Sequence, residues 1–361
     1  MQLDHRESKL LKHRLDKLQH EIADTTADLS DSAHHTRAVI TTVEFMIQTS
    51  SDDGNFTPLP SMQAMQRMVY RIKLNGFSIC DGESVAMGIG IFGAPSFMNH
   101  SCRPNAVQTF LYGGGEPPSL LVTAFEDIPK GAEICISYID NLAPKQIRCN
   151  QLKNNYFFDC RCNACEDPVY NSEIIGLKCS NCDTKSPKMI VESSMASAEQ
   201  VLKCQVCGSV DSHDGFPIVE KMERLSTIDD AATFYHKLKQ SYASDSWYVQ
   251  NCGDQLVQML LDMLGSQADD NQQQSATASR VLQVLIELNE SCKPSTFHVW
   301  SSLFRNLIRQ YKTAKLGLFL LPDPRQSISE LQTVRKSLMP YLTLRHELIQ
   351  QIDSCMHGGM S

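Results

Sequence analysis

Seven of the 14 cysteines fall into tight groups, and no other feature of the chain restricts its fold as strongly. Cys160-x-Cys162-x-x-Cys165 sets three thiols within six residues on a tight turn, a density rarely met in cysteines that are only buried. Cys179-x-x-Cys182 and Cys204-x-x-Cys207 are two further knuckles, 21 residues apart. That separation slightly exceeds the usual four-cysteine ribbon, but lengthening a loop costs little. A structural zinc takes four ligands in a tetrahedron, with sulfurs at about 2.3 Å. The Cys179–Cys207 group supplies all four and leaves no open coordination position, so it reads as structural. The first group is one ligand short. No apolar secretory segment opens the sequence, so its cysteines are expected as metal ligands and buried thiols rather than disulfides. Cys80, Cys135, Cys149, Cys252, Cys292 and Cys355 lack such neighbours and read as apolar fillers.

At 361 residues, 42% hydrophobic and 20% charged, the chain can bury a sizeable core and exceeds one average domain. A net charge of -8 argues against nucleic-acid binding by bulk electrostatics. No dense basic patch surrounds Cys179–Cys207, so a zinc-ribbon nucleic-acid binder is disfavoured. No apolar run reaches the roughly 18 residues a membrane helix needs.

Hydrophobic spacing divides the rest. Leu10, Leu11, Leu15, Leu18 and Ile22, then Val39, Ile40, Val43, Met46 and Ile47, make helical stripes, and Ser61 is a candidate cap for a third helix with Met65, Met68, Val69 and Ile72. His34-His35 reads as a solvated pair. From Asn75 the period becomes that of strands: 77–80, 85–91, 107–111, 120–124 and 133–136, with Gly113-Gly114-Gly115 and Ile128-Pro129-Lys130-Gly131 as turns. Pro144 suits the start of a helix reaching about Tyr156. Residues from Val219 onward read as helical, with stripes at Leu256–Leu264, Val281–Leu288, Phe304–Ile308 and Leu342–Ile352, the last opened by Pro340. Gln267–Ala278 reads as a polar linker and His357–Ser361 as a frayed tail.

Three pieces in order carry a resemblance: Asn99-His100-Ser101-Cys102-Arg103-Pro104-Asn105, then Gly131-Ala132-Glu133-Ile134-Cys135-Ile136-Ser137-Tyr138, then the cysteine triplet. Over about residues 61 to 167 the chain resembles the SET-and-MYND family of protein-lysine methyltransferases, in the form found in arthropods. The resemblance implies an α+β fold: a small β-rich SET half with a helical insert, a cysteine–zinc post-SET loop and an all-α C-terminal region of tetratricopeptide-like helices. The expected parts are a helical SET insert over 1–74, the C-terminal half of the SET domain over 75–141, a post-SET zinc site over 142–167, a second four-cysteine insert over 168–216 and a helical domain over 217–361. A family chain opens with a Gly-x-Gly lobe and a MYND finger. Neither precedes residue 75, and Gly88-Ile89-Gly90 belongs to a later strand, so one wall of the cofactor pocket is expected to be missing.

By the same resemblance the cofactors are S-adenosylmethionine and two zinc ions, and Cys102 is the fourth ligand beside Cys160, Cys162 and Cys165. Tyr138 matches the tyrosine that orients the substrate amine; standing alone, it would be a core tyrosine at a strand end. Asn99 and His100 match cofactor-binding positions. Ser96 and Asn75 lie on the same wall in relatives, although both are also ordinary turn residues. Tyr156 and Phe158 match aromatics of the lysine channel, Phe158 also facing the cofactor. The alternative for both is packing beneath the zinc loop. The implied activity is methyl transfer to a lysine of a histone or another protein, in nucleus and cytoplasm, with protein partners on the helical C-terminal region. No direct nucleic-acid contact and no membrane are expected. The competing reading is a catalytically impaired, zinc-stapled interaction protein or transcriptional regulator.

Overall fold

The structure is a computed structural model describing residues 62–80, 86–113, 116–182, 189–191, 200–266, 271–291, 299–320, 325–339 and 347–358. The first two helical stripes, His34-His35, Ser61, Cys292, Pro340, Leu342 and Leu344 lie outside the described residues. The chain divides into two compact units, one of residues 1–77 with 155–157, the other of 78–154 with 158–361.

In the first unit the described part is chiefly helix α1 (Met62–Asn75). Short strands follow from Gly76, as the period-2 pattern requires. Strands β1 (Gly76–Cys80) and β2 (Ala86–Ile91) pair, and β2 contains the Gly88-Ile89-Gly90 segment. Strand β4 (Ala106–Gly113) and strand β5 (Glu116–Ala124) form an antiparallel hairpin with Phe110 opposite Leu120. Between β2 and β4 lies β3 (Asn99–His100), and after the hairpin comes β6 (Cys135–Ile136). These last two run parallel, Asn99 beside Cys135 and His100 beside Ile136. A parallel pair needs a long crossover, which the β4–β5 hairpin supplies here. The strand expected at 133–136 starts only at Cys135. The Asn105 side chain takes the preceding backbone instead: its amide donates to the Glu133 carbonyl at 2.9 Å and its oxygen accepts from Cys135 N–H at 2.9 Å.

Helix α2 (Lys145–Tyr156) follows Pro144 as the sequence suggests, burying Ile147 and Leu152. The one-turn α3 (Asn163–Glu166) holds Cys165 and has Cys162 at its N-cap, and α4 (Pro168–Ile175) follows it. Asp167 caps α4, accepting from Val169 N at 2.9 Å and Tyr170 N at 3.0 Å, with Pro168 at the first helical position. Gly176 ends this helix at φ 60°, where a Cβ would come within 2.9 Å of the Ser246 Cβ. Only glycine meets both conditions. Strands β7 (Met189–Val191), β8 (Gln200–Cys204) and β9 (Val210–His213) then form a three-stranded antiparallel sheet, order β7-β8-β9.

From Phe216 onward the described residues are almost wholly helical: α5 (Phe216–Glu223), α6 (Ile228–Ser241), α7 (Trp247–Ser266), α8 (Asn271–Ser291), α9 (Val299–Leu320), α10 (Arg325–Leu338) and α11 (Glu347–Gly358). From α6 on, each consecutive pair packs together. Two expectations fail. Residues 271–278 are not linker but the start of α8: glutamine and alanine are good helix formers, and Thr277 and Ala278 are buried. Helix α11 also runs through His357 and Gly358 rather than fraying there. Leu307, Ile308, Tyr311, Leu331, Val334, Leu338, Leu348, Ile349 and Ile352 form a helical core, with Val107 and Phe125 of the hairpin packed against it. A second tie is electrostatic. Arg309 is buried and forks onto Asp254 at 2.7 Å through both Nε and Nη2. Arg305 reaches Asp140 at 3.6 Å, and Trp247 Nε1 donates to the same Asp140 carboxylate at 3.0 Å. Asp140 lies two residues beyond Tyr138, so helices α7 and α9 hold the segment that follows that tyrosine.

Candidate functional site: a zinc-type cluster beside the Asn-His segment

The parallel β3–β6 pairing brings three distant pieces of sequence to one place. Its ladder continues past the strands, Ser101 N–H donating to the Ile136 carbonyl at 3.0 Å. Cys102 therefore emerges directly below the strand that leads to Tyr138. The Cys162 carbonyl accepts from Cys165 N–H at 2.9 Å and Glu166 N–H at 3.2 Å, closing the turn that aims Cys162 and Cys165 inward. The sulfurs of Cys102, Cys160, Cys162 and Cys165 all lie within 4.8 Å of one another. Cys102 sits 3.6 Å from Cys165 and 4.0 Å from Cys160. A zinc tetrahedron with bonds of about 2.3 Å places its sulfurs about 3.8 Å apart, so the four thiols fit that ion. Burial is uneven: Cys102 and Cys165 are 0% and 1% exposed, whereas Cys162 is half-buried. Bonds from Cys102 and Cys160 draw the Cys162 thiol down to about 6, toward the thiolate that binds metal.

The second group is built locally. Cys179–Cys207 and Cys182–Cys204 are each 3.6 Å apart, and all four sulfurs lie within 4.8 Å. Gly208, at φ 73°, lets the chain turn back so that Gly208 N–H reaches the Cys204 carbonyl at 3.0 Å. Val206 N–H points at Cys204 Sγ at 3.4 Å, and Ser209 Oγ lies 3.1 Å from both Cys179 and Cys207. Hydrogen bonds from the side chain and backbone of Ser209 lower the exposed Cys207 thiol to about 6. Of the cysteines expected as buried fillers, Cys252 alone among the described residues is one; Cys80, Cys135, Cys149 and Cys355 are half-buried. Cys149 leans on the ligand Cys165, and that bond together with burial pushes its thiol upward.

Above the first cluster, Tyr138 and His100 interlock. Tyr138 N–H donates to His100 Nδ1 at 3.1 Å, their rings are 5.4 Å apart, and the Tyr138 hydroxyl donates to the Met98 carbonyl. Burial lowers His100 to about 4 and keeps it neutral at physiological pH. With Nδ1 accepting, the ring proton sits on Nε2, which faces Cys102 Sγ at 3.3 Å. Asn99 donates its amide to the Glu133 carboxylate. Phe158 is exposed, its ring 6.2 Å from that of His100. Phe157 before it has φ 59°, a left-handed residue that turns the chain out of α2 toward Phe158. Ser96 bonds the Phe92 carbonyl at 2.7 Å within a 3-10 turn. Asn75 and Tyr156 belong to the first compact unit, where the Asn75 amide caps the Arg71 carbonyl at 2.9 Å and Tyr156 closes α2.

Sequence reasoning missed four residues here. Glu133 and Asn105 were visible only as parts of motifs. Arg148 and Asn171 gave no signal, because one polar residue on a helix looks solvent-facing until its neighbours are known. Both are buried, Arg148 at 0% exposure, with Nη2 3.0 Å from Asn171 Oδ1 and 3.9 Å from Cys165 Sγ.

Residues 6–139 match the SET domain family. The chain is 38% identical over 117 residues to "Histone-lysine N-methyltransferase ASHR1" of Arabidopsis thaliana, covering 31% of this chain and 23% of that protein. Over 145 residues it is 30% identical to "Histone-lysine N-methyltransferase SMYD3" of Homo sapiens, covering 40% and 32% respectively. Over 106 residues it is 37% identical to "N-lysine methyltransferase SMYD2-B" of Danio rerio, covering 29% and 23%. The chain thus spans a quarter to a third of the length of these relatives. No helix among the described residues is long and apolar enough to cross a membrane.

Proposed function

We propose that this chain acts as a SET-domain protein-lysine N-methyltransferase, with S-adenosylmethionine as methyl donor, a histone or other protein lysine as acceptor, and one zinc ion in each four-cysteine group. The observation that carries the reading is the β3–β6 pairing, which sets Asn99, His100 and Tyr138 around one polar edge. Bound there, S-adenosylmethionine supplies an electrophilic methyl on a sulfonium sulfur. The residues present suit such a ligand: the Asn99 amide and Glu133 carboxylate offer hydrogen bonds and negative charge, and the exposed Phe158 ring offers an aromatic face. Tyr138 orients the amine, its hydroxyl fixed by the Met98 carbonyl. Tyr156 and Phe158 are proposed to line the approach of the lysine, and Asn75 and Ser96 to flank the cofactor.

Calorimetric titration with S-adenosylmethionine, followed by transfer of labelled methyl to a lysine-bearing protein, tests the reading. Tyr138→Phe should keep cofactor binding and lower turnover by about 10²-fold or more. Undiminished transfer by Tyr138→Phe would overturn the assignment.

A further inference from the structure

Four thiolates around a divalent zinc carry a net charge of -2, and burying that charge requires compensation. In the Cys102 group the two fully buried sulfurs each face a side-chain nitrogen donor. His100 Nε2 lies 3.3 Å from Cys102 Sγ, and Arg148 Nη2 lies 3.9 Å from Cys165 Sγ. Arg148 is itself fully buried, and among the described residues no carboxylate pairs with it. Its other contacts are neutral: the Ala143 carbonyl, Asn171 Oδ1 at 3.0 Å and the Tyr170 ring at 5.4 Å. Asn171 is locked in turn, donating to the Ala164 carbonyl at 3.0 Å. A buried cation without a carboxylate is costly unless another anion balances it, and the thiolates are the anions at hand.

His100 adds a direction to this arrangement. Its Nδ1 accepts from Tyr138 N–H, so the same ring that donates to Cys102 holds the backbone of Tyr138. Donors beyond the ligands usually fix ligand orientation and metal affinity. This one also touches the segment assigned to catalysis.

We propose that Arg148 and His100 are positioning residues of the Cys102 zinc centre: Arg148 is the buried counter-charge of its thiolates, and His100 relays metal occupancy to the Tyr138 backbone, coupling zinc binding to cofactor binding. The coupling to cofactor rests on the methyltransferase reading; the two contacts to the thiolates do not. Such coupling is reciprocal: whatever factor zinc adds to cofactor affinity, the cofactor adds to zinc affinity.

The test uses the full chain, a zinc-chelator competition and Co²⁺ substitution read by the thiolate-to-cobalt absorption band. Arg148→Gln should weaken metal binding at one of the two centres by about 10- to 100-fold and shift its cobalt band, leaving the Cys179 centre unchanged as an internal control. Arg148→Lys, which restores charge without the planar fork, should recover a large part of that loss. Equal affinities for Arg148→Lys and Arg148→Gln would overturn the counter-charge. In unmutated protein loaded with Zn²⁺, the ¹⁵N shifts of His100 should show the proton on Nε2, and the Tyr138 amide resonance should move when the metal is stripped. The other tautomer, or a Tyr138 amide that follows the metal just as well in His100→Ala, would overturn the relay, whether or not the Arg148 variants fold. Titrating S-adenosylmethionine with and without Zn²⁺ separates the two levels. Absence of cofactor binding in the zinc-loaded chain sinks the methyltransferase reading and the coupling with it, leaving the two thiolate contacts standing, whereas cofactor affinity indifferent to zinc sinks the coupling alone.

Discussion

The two four-cysteine groups share a ligand set and little else. In the first, Cys102 and Cys160 are 58 residues apart and come from a strand end and a post-helical loop. In the second, Cys182 and Cys204 are 22 apart and sit on neighbouring turns of one small sheet. Chain entropy hardly distinguishes them, since a loop two to three times longer changes closure by only roughly 1 kcal/mol. Surroundings do. Cys102 and Cys165 are sealed beneath Arg148 and His100, while Cys207 is exposed and leans on a serine. A metal in the first group would cross-link distant parts of the chain, and one in the second would staple a single small ribbon. The same chemistry thus does different work according to what surrounds the sulfurs.

The sharpest way to break that contrast is to remove one ligand from each. Cys102→Ser and Cys207→Ser should each release one zinc by native mass spectrometry. Emptying the first centre also strands Arg148 as a buried charge, a situation costing about 3–5 kcal/mol. Calorimetric unfolding should therefore show Cys102→Ser less stable than Cys207→Ser by about that much. Equal losses would mean that burial of the first centre contributes nothing special.

Acid should separate the two regions by a smaller amount. His213 ends strand β9, at the root of the ribbon, with Nε2 3.2 Å from the Tyr242 hydroxyl. Tyr242 pairs with Leu177, just before Cys179. Burial lowers His213 from 6.5 to about 4, against the opposing pull of Asp214 and Asp211. The unfolded chain then binds the proton more readily than the folded one. Stability is complete above pH 6.5 and is lost progressively as pH falls toward 4, by about 1.4 kcal/mol per unit and about 3 kcal/mol in all. The difference in unfolding free energy between wild type and His213→Phe, followed from pH 7 to 4, should narrow by that amount. A gap independent of pH would place the imidazole's titration elsewhere.

This contrast explains how much could be read in advance. Cysteine spacing is a local property, so the triplet and the second group were legible, and the family resemblance, not the spacing, placed Cys102 with the triplet. The strands and α2 followed from period and from Pro144. What stayed hidden depends on tertiary neighbours. Nothing in Lys145-Gln146-Ile147-Arg148 says that the arginine turns inward against four sulfurs. The run Gln272-Gln273-Gln274 looks like linker because polarity hides helix propensity, and only the burial of Thr277 and Ala278 reveals α8. Helix α10 falls within the stretch read as helical from Val219, with Leu331, Val334 and Leu338 at helical spacing.

The finest test of the contrast lies in Ser209. Its hydroxyl is 3.1 Å from both Cys179 and Cys207, yet it carries one proton, so it donates to one thiolate at a time. Water reaches Cys207 and can replace that donor when Ser209 becomes Ala. The loss should fall at the low end of what donors beyond the ligands contribute, about tenfold or less in zinc affinity at this centre. Arg148→Gln acts where water is excluded and no substitute donor can enter, so its effect should be the larger. Chelator competition on the two variants ranks them directly. A larger effect for Ser209→Ala than for Arg148→Gln would show that exposure does not set how strongly each centre depends on its neighbours.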